Sequence, residues 1–441
     1  MPKGNTLTPL EAAQIATNVY FTLDSWIHFT PRANTESMKN IQNRVLGNAS
    51  VGSPQPGSGR THVNSSLKGG GLGSAQIANV HSATTGVLLT QTSGFGYTLS
   101  FQGDGSKHVV IATRGTRPEM NAMPDLVTDL RATMRNYGDY GPVHTGFLKT
   151  YESIAANLDR DKALIESADV IHCVGHSLGG AIATLIAGRY AGSGKKVKLY
   201  TFGCPRVGAG NTYLNFERRI GVENIHRVSH DLDPVTLIGP YPFIHIQPRF
   251  DDRSNLILPS RSGSFLTAAN HDMDLYIQSA AGKQWSDLRL EKAEIKHKDD
   301  ILASWLLRDD NTGWVRYACV KTLSYLFRLF RSALRVLSTA VVLGLSMIDV
   351  VAEILIRGLH LVGQFSKQLL QLLEHTAYWA TGIRIKGKEN FTSELIRELL
   401  EKMFQVVKTT SIEAIGKVQR NIKPVALSVG TTWALSSFNV I

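Results

Sequence analysis

Hydrophobic positions in the middle of the chain fall in short runs, each about one strand long. Most runs give way to a segment with apolar residues at helical spacing. From about Leu88, "YTLSFQ" (97–102) and "HVVIAT" (108–113) read as strands and precede "PDLVTDLRATM" (124–134). A turn into a helix follows, "VHTGFLKTYESIAANLDR" (143–160), and then a strand, "ADVIHCVGHS" (168–177). Next come a helix, "LGGAIATLIAGRYA" (178–191), a strand, "KVKLYTFG" (196–203), and a strand running into a loop, "ENIHRVSHDLDPV" (223–235). Strands alternating with helices predict an α/β fold, a largely parallel sheet with helices on both faces.

The flanks have other patterns. Leu10–Leu23 reads as an amphipathic helix, and residues 50–74, rich in Gly, Ser, Asn and Pro, read as a mobile loop or linker. Around residue 310 the character shifts, and from Tyr317 onward the chain is almost continuously helical in pattern. Two domains are expected: residues 1–310 around a core at about 90–280, and a helical, basic-amphipathic region at 311–441.

Composition narrows the partners. With 43% hydrophobic and 19% charged residues the chain is globular rather than disordered. A net charge of +11 favours an anionic partner, a lipid headgroup layer or nucleic acid. No zinc spacing or nucleic-acid signature supports the second, so no nucleic-acid partner is expected. Cys173, Cys204 and Cys319 are too few, and odd in number, for a disulfide framework, so three reduced thiols are expected, two of them in buried strands. The first residues lack the apolar core of a signal peptide, which implies synthesis in the cytoplasm and export, if any, by another route.

The stretch Val170–Tyr190 raises the question of chemistry. A Gly-x-Ser-x-Gly pentapeptide is weak evidence alone; its setting makes it specific. Here "DVIHCV" supplies a strand before it, and a small-residue helix follows. Gly175 and Gly179, on either side of His176 and Ser177, keep a sharp turn free of side chains, and Gly180 lets the helix pack closely. Ser177 would stand over a helix N-terminus, whose partial positive charge suits a developing oxyanion.

A serine needs a base, and the base needs an orienting acid. Where a Gly-x-Ser-x-Gly elbow between strand and helix carries the serine, the acid and then the base follow it along the chain. The loop after "NIHRVSH" carries two candidate acids, Asp231 nearer the strand end and Asp233 before Pro234, which fixes the backbone there. Downstream, His297 sits in a charged stretch, and His360 and His375 lie in the helical tail. His245 would be held within a strand-like segment. His271, in a polar loop entering a short helix ("AANHDMDLYIQ"), is the favoured base. For the oxyanion, Leu178 offers its backbone N–H. Thr116, after Arg114-Gly115 at a strand end, offers N–H and hydroxyl. Met120 and Met123, in the segment between Arg117 and Pro124, suit a lid or acyl-chain wall.

Six stretches together resemble the class 3 lipases, fungal-type members of the α/β-hydrolases: "TRGT" (113–116), "VHTGF" (143–147), "GHSLGGAIATL" (175–185), "LYTFGCPRVG" (199–208), "HDLDPV" (230–235) and "HDMDLY" (271–276). They occur in the family's order across roughly residues 90–280. The resemblance implies an α/β-hydrolase fold and a serine esterase acting on glycerolipids at an interface without a cofactor. It implies Ser177 as nucleophile, Asp233 as acid, His271 as base, and Thr116 with Leu178 as oxyanion hole. The chain departs from the family at Thr113, where an aromatic residue is frequent, in a missing tryptophan near "NAMPDL", and in "PVTLIGP" after Asp233.

The resemblance stops before residue 310. In the tail, Lys321, Arg328, Arg331 and Arg335 fall near one helical face and Leu323, Leu326, Phe327, Phe330 and Leu334 largely opposite. The charge-free run Val336–Ile348 is short for a membrane span of about 20 residues and reads as an interfacial or core helix. This layout resembles the antibacterial lipase effectors of bacterial type VI secretion. It implies membrane phospholipid as substrate, with an immunity protein and a carrier spike protein as partners. Two other readings stay open: a neutral-lipid lipase with a helical anchor, and a membrane-permeabilising toxin whose hydrolase activity is secondary.

Overall fold

The computed structural model of the chain describes residues 6–20, 76–85, 91–103, 105–115, 133–230, 233–239, 243–246, 254–260, 268–291, 347–360 and 364–402, with residues 405, 409 and 413. Eleven strands are found among them: β1 (Gln76–Thr85), β2 (Gln91–Gly103), β3 (Ser106–Thr113), β4 (Met134–Asn136), β5 (Pro142–His144), β6 (Val170–His176), β7 (Val197–Phe202), β8 (Gly208–Ala209), β9 (Ile225–His230), β10 (Phe243–Ile244) and β11 (Asn255–Leu258). Seven form the main sheet in the order β1-β2-β3-β6-β7-β9-β11, and β10-β8-β5-β4 form a small second sheet. β3, β6, β7, β9 and β11 run parallel. The expected sheet is therefore present, with a mixed edge: β1 and β2 pair antiparallel, and β2 pairs antiparallel with β3. The break between β2 and β3 is too short for the crossover of a dozen or more residues that a parallel pair needs.

The parallel strands are buried on both faces, and successive residues feed two cores. Val109, Ile111, Ile171, Cys173 and Leu199 pack on one face, with buried residues of helices α2 (Thr145–Leu158), α3 (Leu178–Gly192) and α4 (Thr212–Ile220). Val110, Ala112, Val174, Phe202 and Val228 pack on the other, with α1 (Pro9–Asn18), α5 (Met273–Ala280) and α6 (Trp285–Glu291). Later in the chain α7 (Met347–Leu359) packs against α8 (Gln364–Thr381). No helix among the described residues is long and apolar enough to cross a membrane. The basic stretch from Tyr317 and most of the run Val336–Ile348 lie outside the described residues, as do residues 50–74 and Cys319.

α1 is shorter than the expected Leu10–Leu23 and is buried on every side rather than amphipathic. Its polar residues are covered because they are bonded. Thr8 and Glu11 form a capping box, in which Glu11 N–H donates to Thr8 Oγ1 and Thr8 N–H donates to Glu11 Oε2. Cys173 and Cys204 are free and buried as expected, but Cys204 follows β7 in the turn, where it lies against Gly180. Burial pushes its thiol up to about 12.

Under α1 the sheet carries a column of rings. Phe101, His108, His172, Tyr200 and His226 come from neighbouring strands, with successive centroids 4.7, 5.2, 5.8 and 5.1 Å apart, and Trp285 closes the column 4.2 Å from His226. Both nitrogens of His226 are buried without a hydrogen bond. Burial holds His172 well below the usual histidine range, and burial with Lys198 and Arg289 nearby holds His226 at about 3. A folded pKa below the unfolded value of about 6.5 leaves stability intact above that pH and removes it as pH falls toward 3. Stability should therefore drop by roughly 1 kcal/mol per pH unit below 6 for His226 alone. His226→Phe, which removes the titrating group and keeps the stacked ring, should flatten that slope in urea titrations between pH 6 and pH 4. An unchanged slope would show that His226 is not the acid-sensitive group.

Candidate active site

β6 ends at His176 and α3 begins at Leu178, so Ser177 alone makes the turn. Its φ of 58° and ψ of −133° make it the only non-glycine residue at positive φ among the described residues. That conformation is strained for a residue with a Cβ and costs about 1–3 kcal/mol. Neighbours hold it: Ser177 N–H donates to Phe202 O at 2.9 Å, and Gly180 N–H donates to Ser177 O at 2.9 Å. Thr113 Oγ1 donates to Gly179 O at 2.7 Å, tying the end of β3 to the first turn of α3. A Cβ on Gly175 would collide with the backbone at Gly179, and one on Gly179 with the backbone of Thr113 and Arg114. The small residues flanking the serine are thus required by the close passage of helix over strand. Ser177 sits at the N-terminus of a 15-residue helix, next to buried Leu178.

The structure brings His271 and Asp233 together from loops far apart in sequence. His271 Nδ1–H donates to Asp233 Oδ2 at 2.8 Å, and both side chains are fully buried. Asp233 also caps the short 3-10 turn Pro234–Leu237, its Oδ1 accepting Val235 N–H at 2.9 Å. A third donor is Tyr276, whose hydroxyl donates to Oδ2 at 2.6 Å while accepting His230 N–H at 3.1 Å. Burial and the adjacent Asp233 hold the Tyr276 phenol well above its ordinary pKa, so it remains a donor. Three donors thus converge on one buried carboxylate. With its proton on Nδ1, His271 presents a lone pair at Nε2, which is buried and has no hydrogen-bond partner.

The imidazole lies next to the elbow. The His176 ring centroid is 4.3 Å from that of His271, and His176 Nε2–H donates to His271 O at 3.0 Å. Gly203, at the end of β7, makes room for the pair. A Cβ there would come within 2.6 Å of Asp233 Oδ2 and 2.8 Å of His271 Nδ1.

Other candidates fall elsewhere. His245, the alternative base, has its Nε2 bonded to the Arg227 guanidinium at 2.9 Å. His360 is exposed at the end of α7, and His375 lies on α8. Thr116, Asp231, Met120, Met123 and His297 lie outside the described residues. Among the described residues no cluster of three or more His, Cys, Asp or Glu side chains is placed to hold a metal ion. Reasoning from sequence missed Tyr20, Gly203 and Tyr276 as parts of this site. Only Tyr276 had a local signal, a tyrosine in the helix that follows His271.

Residues 110–242 match the family Lipase (class 3). The chain is 38% identical over 117 residues to the secreted mono- and diacylglycerol lipase 1 of Fusarium solani, covering 24% of this chain and 33% of that protein. It is 30% identical over 210 residues to phospholipase A1-II 4 of Oryza sativa subsp. japonica, covering 41% and 52%. It is 32% identical over 117 residues to the toxin TseL of Vibrio cholerae serotype O1, covering 25% and 18%. The chain therefore spans about half, or less, of each of these relatives.

The strain at Ser177 has a measurable consequence. Ser177→Gly relieves the positive φ and Ser177→Ala keeps it, so the glycine variant should be the more stable by about 1–3 kcal/mol in urea denaturation. Equal stabilities would show that the turn relaxes in solution.

Proposed function

We propose that this chain is a serine hydrolase that cleaves acyl esters of membrane glycerophospholipids. The observation that carries the reading is the buried, unpartnered Nε2 of His271, beside a strained serine and held by Asp233 through its other nitrogen. In this reading Ser177 Oγ attacks the ester carbonyl carbon and its proton passes to His271 Nε2. Asp233 stabilises the resulting imidazolium. The carbonyl oxygen becomes an oxyanion that accepts from Leu178 N–H at the start of α3 and from Thr116. Collapse expels the lysophospholipid alkoxide, which takes the proton from His271. Water then attacks the acyl-serine, giving its proton to the same nitrogen, and Ser177 recovers that proton as the fatty acid leaves.

Phospholipid as substrate is supported by the net charge of +11, which suits an anionic headgroup layer, and by the likeness to a phospholipase A1. The likeness to a toxin supports a target membrane outside the producing cell, with an immunity protein and a carrier protein as partners. The likeness to a mono- and diacylglycerol lipase favours a second reading, neutral glycerides as substrate.

Incubation with phosphatidylglycerol–phosphatidylethanolamine vesicles and with diacylglycerol emulsion, read by mass spectrometry of released fatty acid, separates the two. The wild type should release fatty acid from the vesicles faster than from the emulsion, and Ser177→Ala should lower release by at least about 10⁴-fold. Preference for the emulsion establishes the second reading. Undiminished release by Ser177→Ala refutes both, and undiminished dye leakage without release identifies a permeabilising protein.

A further inference from the structure

We infer that Tyr20, just past the end of α1, is a positioning residue for ester cleavage. Bonded to Gly115 directly and to His271 through His176, it fixes the end of β3, the serine elbow and the backbone of the catalytic histidine relative to one another. The inference rests on the reading of Ser177 as nucleophile. Gly115 N–H donates to the Tyr20 hydroxyl at 3.2 Å, and the hydroxyl lies 2.7 Å from His176 Nδ1. His176 Nε2 lies 3.0 Å from the carbonyl oxygen of His271. A carbonyl only accepts, so His176 carries its proton on Nε2. Its Nδ1 is then an acceptor, and Tyr20 O–H must be the donor to it. The direction of the bridge is fixed from end to end: Gly115 N–H to Tyr20, Tyr20 to His176, His176 to His271.

Each contact falls beside a working group. Gly115 precedes Thr116, His176 precedes Ser177, and the bridge ends on the backbone of His271 itself. Little slack exists, since a Cβ on Gly115 would lie 2.5 Å from the Tyr20 oxygen and 3.0 Å from Ser177 Cβ. Tyr20 and His176 are both buried, and burial beside His271 holds the His176 imidazole well below the usual histidine range. It stays neutral across the working pH range, and the bridge keeps its direction. Tyr20 reaches none of the reacting atoms. Its effect runs through the placement of donors and base, which enters kcat more than KM.

The test uses the full-length chain and p-nitrophenyl butyrate, a soluble ester that needs no lipid interface. Tyr20→Phe should lower kcat by about ten- to a hundredfold with KM within about threefold of wild type. His176→Phe should do the same, and the double variant should lose no more than the worse single one, because both break one bridge. Wild-type kcat in Tyr20→Phe, or losses that multiply in the double variant, would overturn the inference. Turnover by the wild type that Ser177→Ala abolishes keeps the nucleophile reading separate from this result; a wild type with no turnover overturns both. Nitrogen-15 spectra of the unmutated protein give a readout independent of variant folding. His176 should be the neutral Nε2–H tautomer, and the Nδ1–H tautomer would sink the bridge.

Discussion

A strand and a helix joined by a single residue set the geometry of everything at the carboxyl edge of the sheet. The register of the parallel strands carries that constraint outward. Thr113 lies opposite Gly175, His176 opposite Phe202, and Phe202 opposite Val228. The loops leaving β3, β6, β7 and β9 therefore start at nearly one level. From those loops come Gly115, Ser177, Gly203 and Asp233. If Gly175 or Gly179 carried a side chain, helix α3 would have to lift from the sheet, and the serine would lose its place over the helix N-terminus. The strain at Ser177 is the cost of that close passage. Hydrogen bonds from three segments, to Phe202 O, to Ser177 O and to Gly179 O, hold it in place.

The second constraint is dryness. Ser177, Asp233 and His271 are all buried, so a polar atom left there without a partner is costly. Asp233 has three donors and is fully employed. His271 is employed on one side only. An unpartnered imidazole nitrogen in such a place is costly, and in the function proposed above it is the group that takes the serine proton.

Much of this was legible in the sequence. Strand-length runs with helices between them announced the parallel sheet, and the strand, the glycines and the small-residue helix around Ser177 announced the turn. Residue-type logic, with the family resemblance deciding between Asp231 and Asp233, named the two side chains that meet at 2.8 Å. What was not legible has a common physical character. Tyr20 meets His176 across 156 residues and Gly115 across 95, with no periodicity or spacing to mark it. Gly203 matters for the side chain it lacks beside a pair assembled from elsewhere. The antiparallel pairing of β2 and β3 follows from the few residues, 103–107, between "YTLSFQ" and "HVVIAT", a spacing that the alternation of strand and helix patterns passes over. The full burial of α1 depended on hydrogen bonds made by its polar residues, which a hydrophobic pattern reads as solvent-facing.

A second polar path lies under α1, and it explains how a helix near the start of the chain comes to bear on the site. Leu7 N–H donates to the Tyr200 hydroxyl at 3.1 Å, which lies 3.2 Å from His172 Nδ1. His172 Nε2 lies 2.9 Å from His108 Nδ1, and His108 Nε2 lies 3.2 Å from Gly103 O. Beginning at a backbone N–H and ending at a backbone carbonyl, this chain too passes through a tyrosine and two imidazoles. Trp285 Nε1–H completes the attachment by donating to Leu7 O at 2.8 Å. One ordered polar path anchors the entry to α1, and the other takes hold just past its end at Tyr20. A helix secured at both ends in this way cannot slide along the sheet without breaking bonds in a dry interior, where each broken bond leaves an unmet donor or acceptor. The placement of Tyr20 against the elbow therefore depends on the whole α1 layer, rings and imidazoles included.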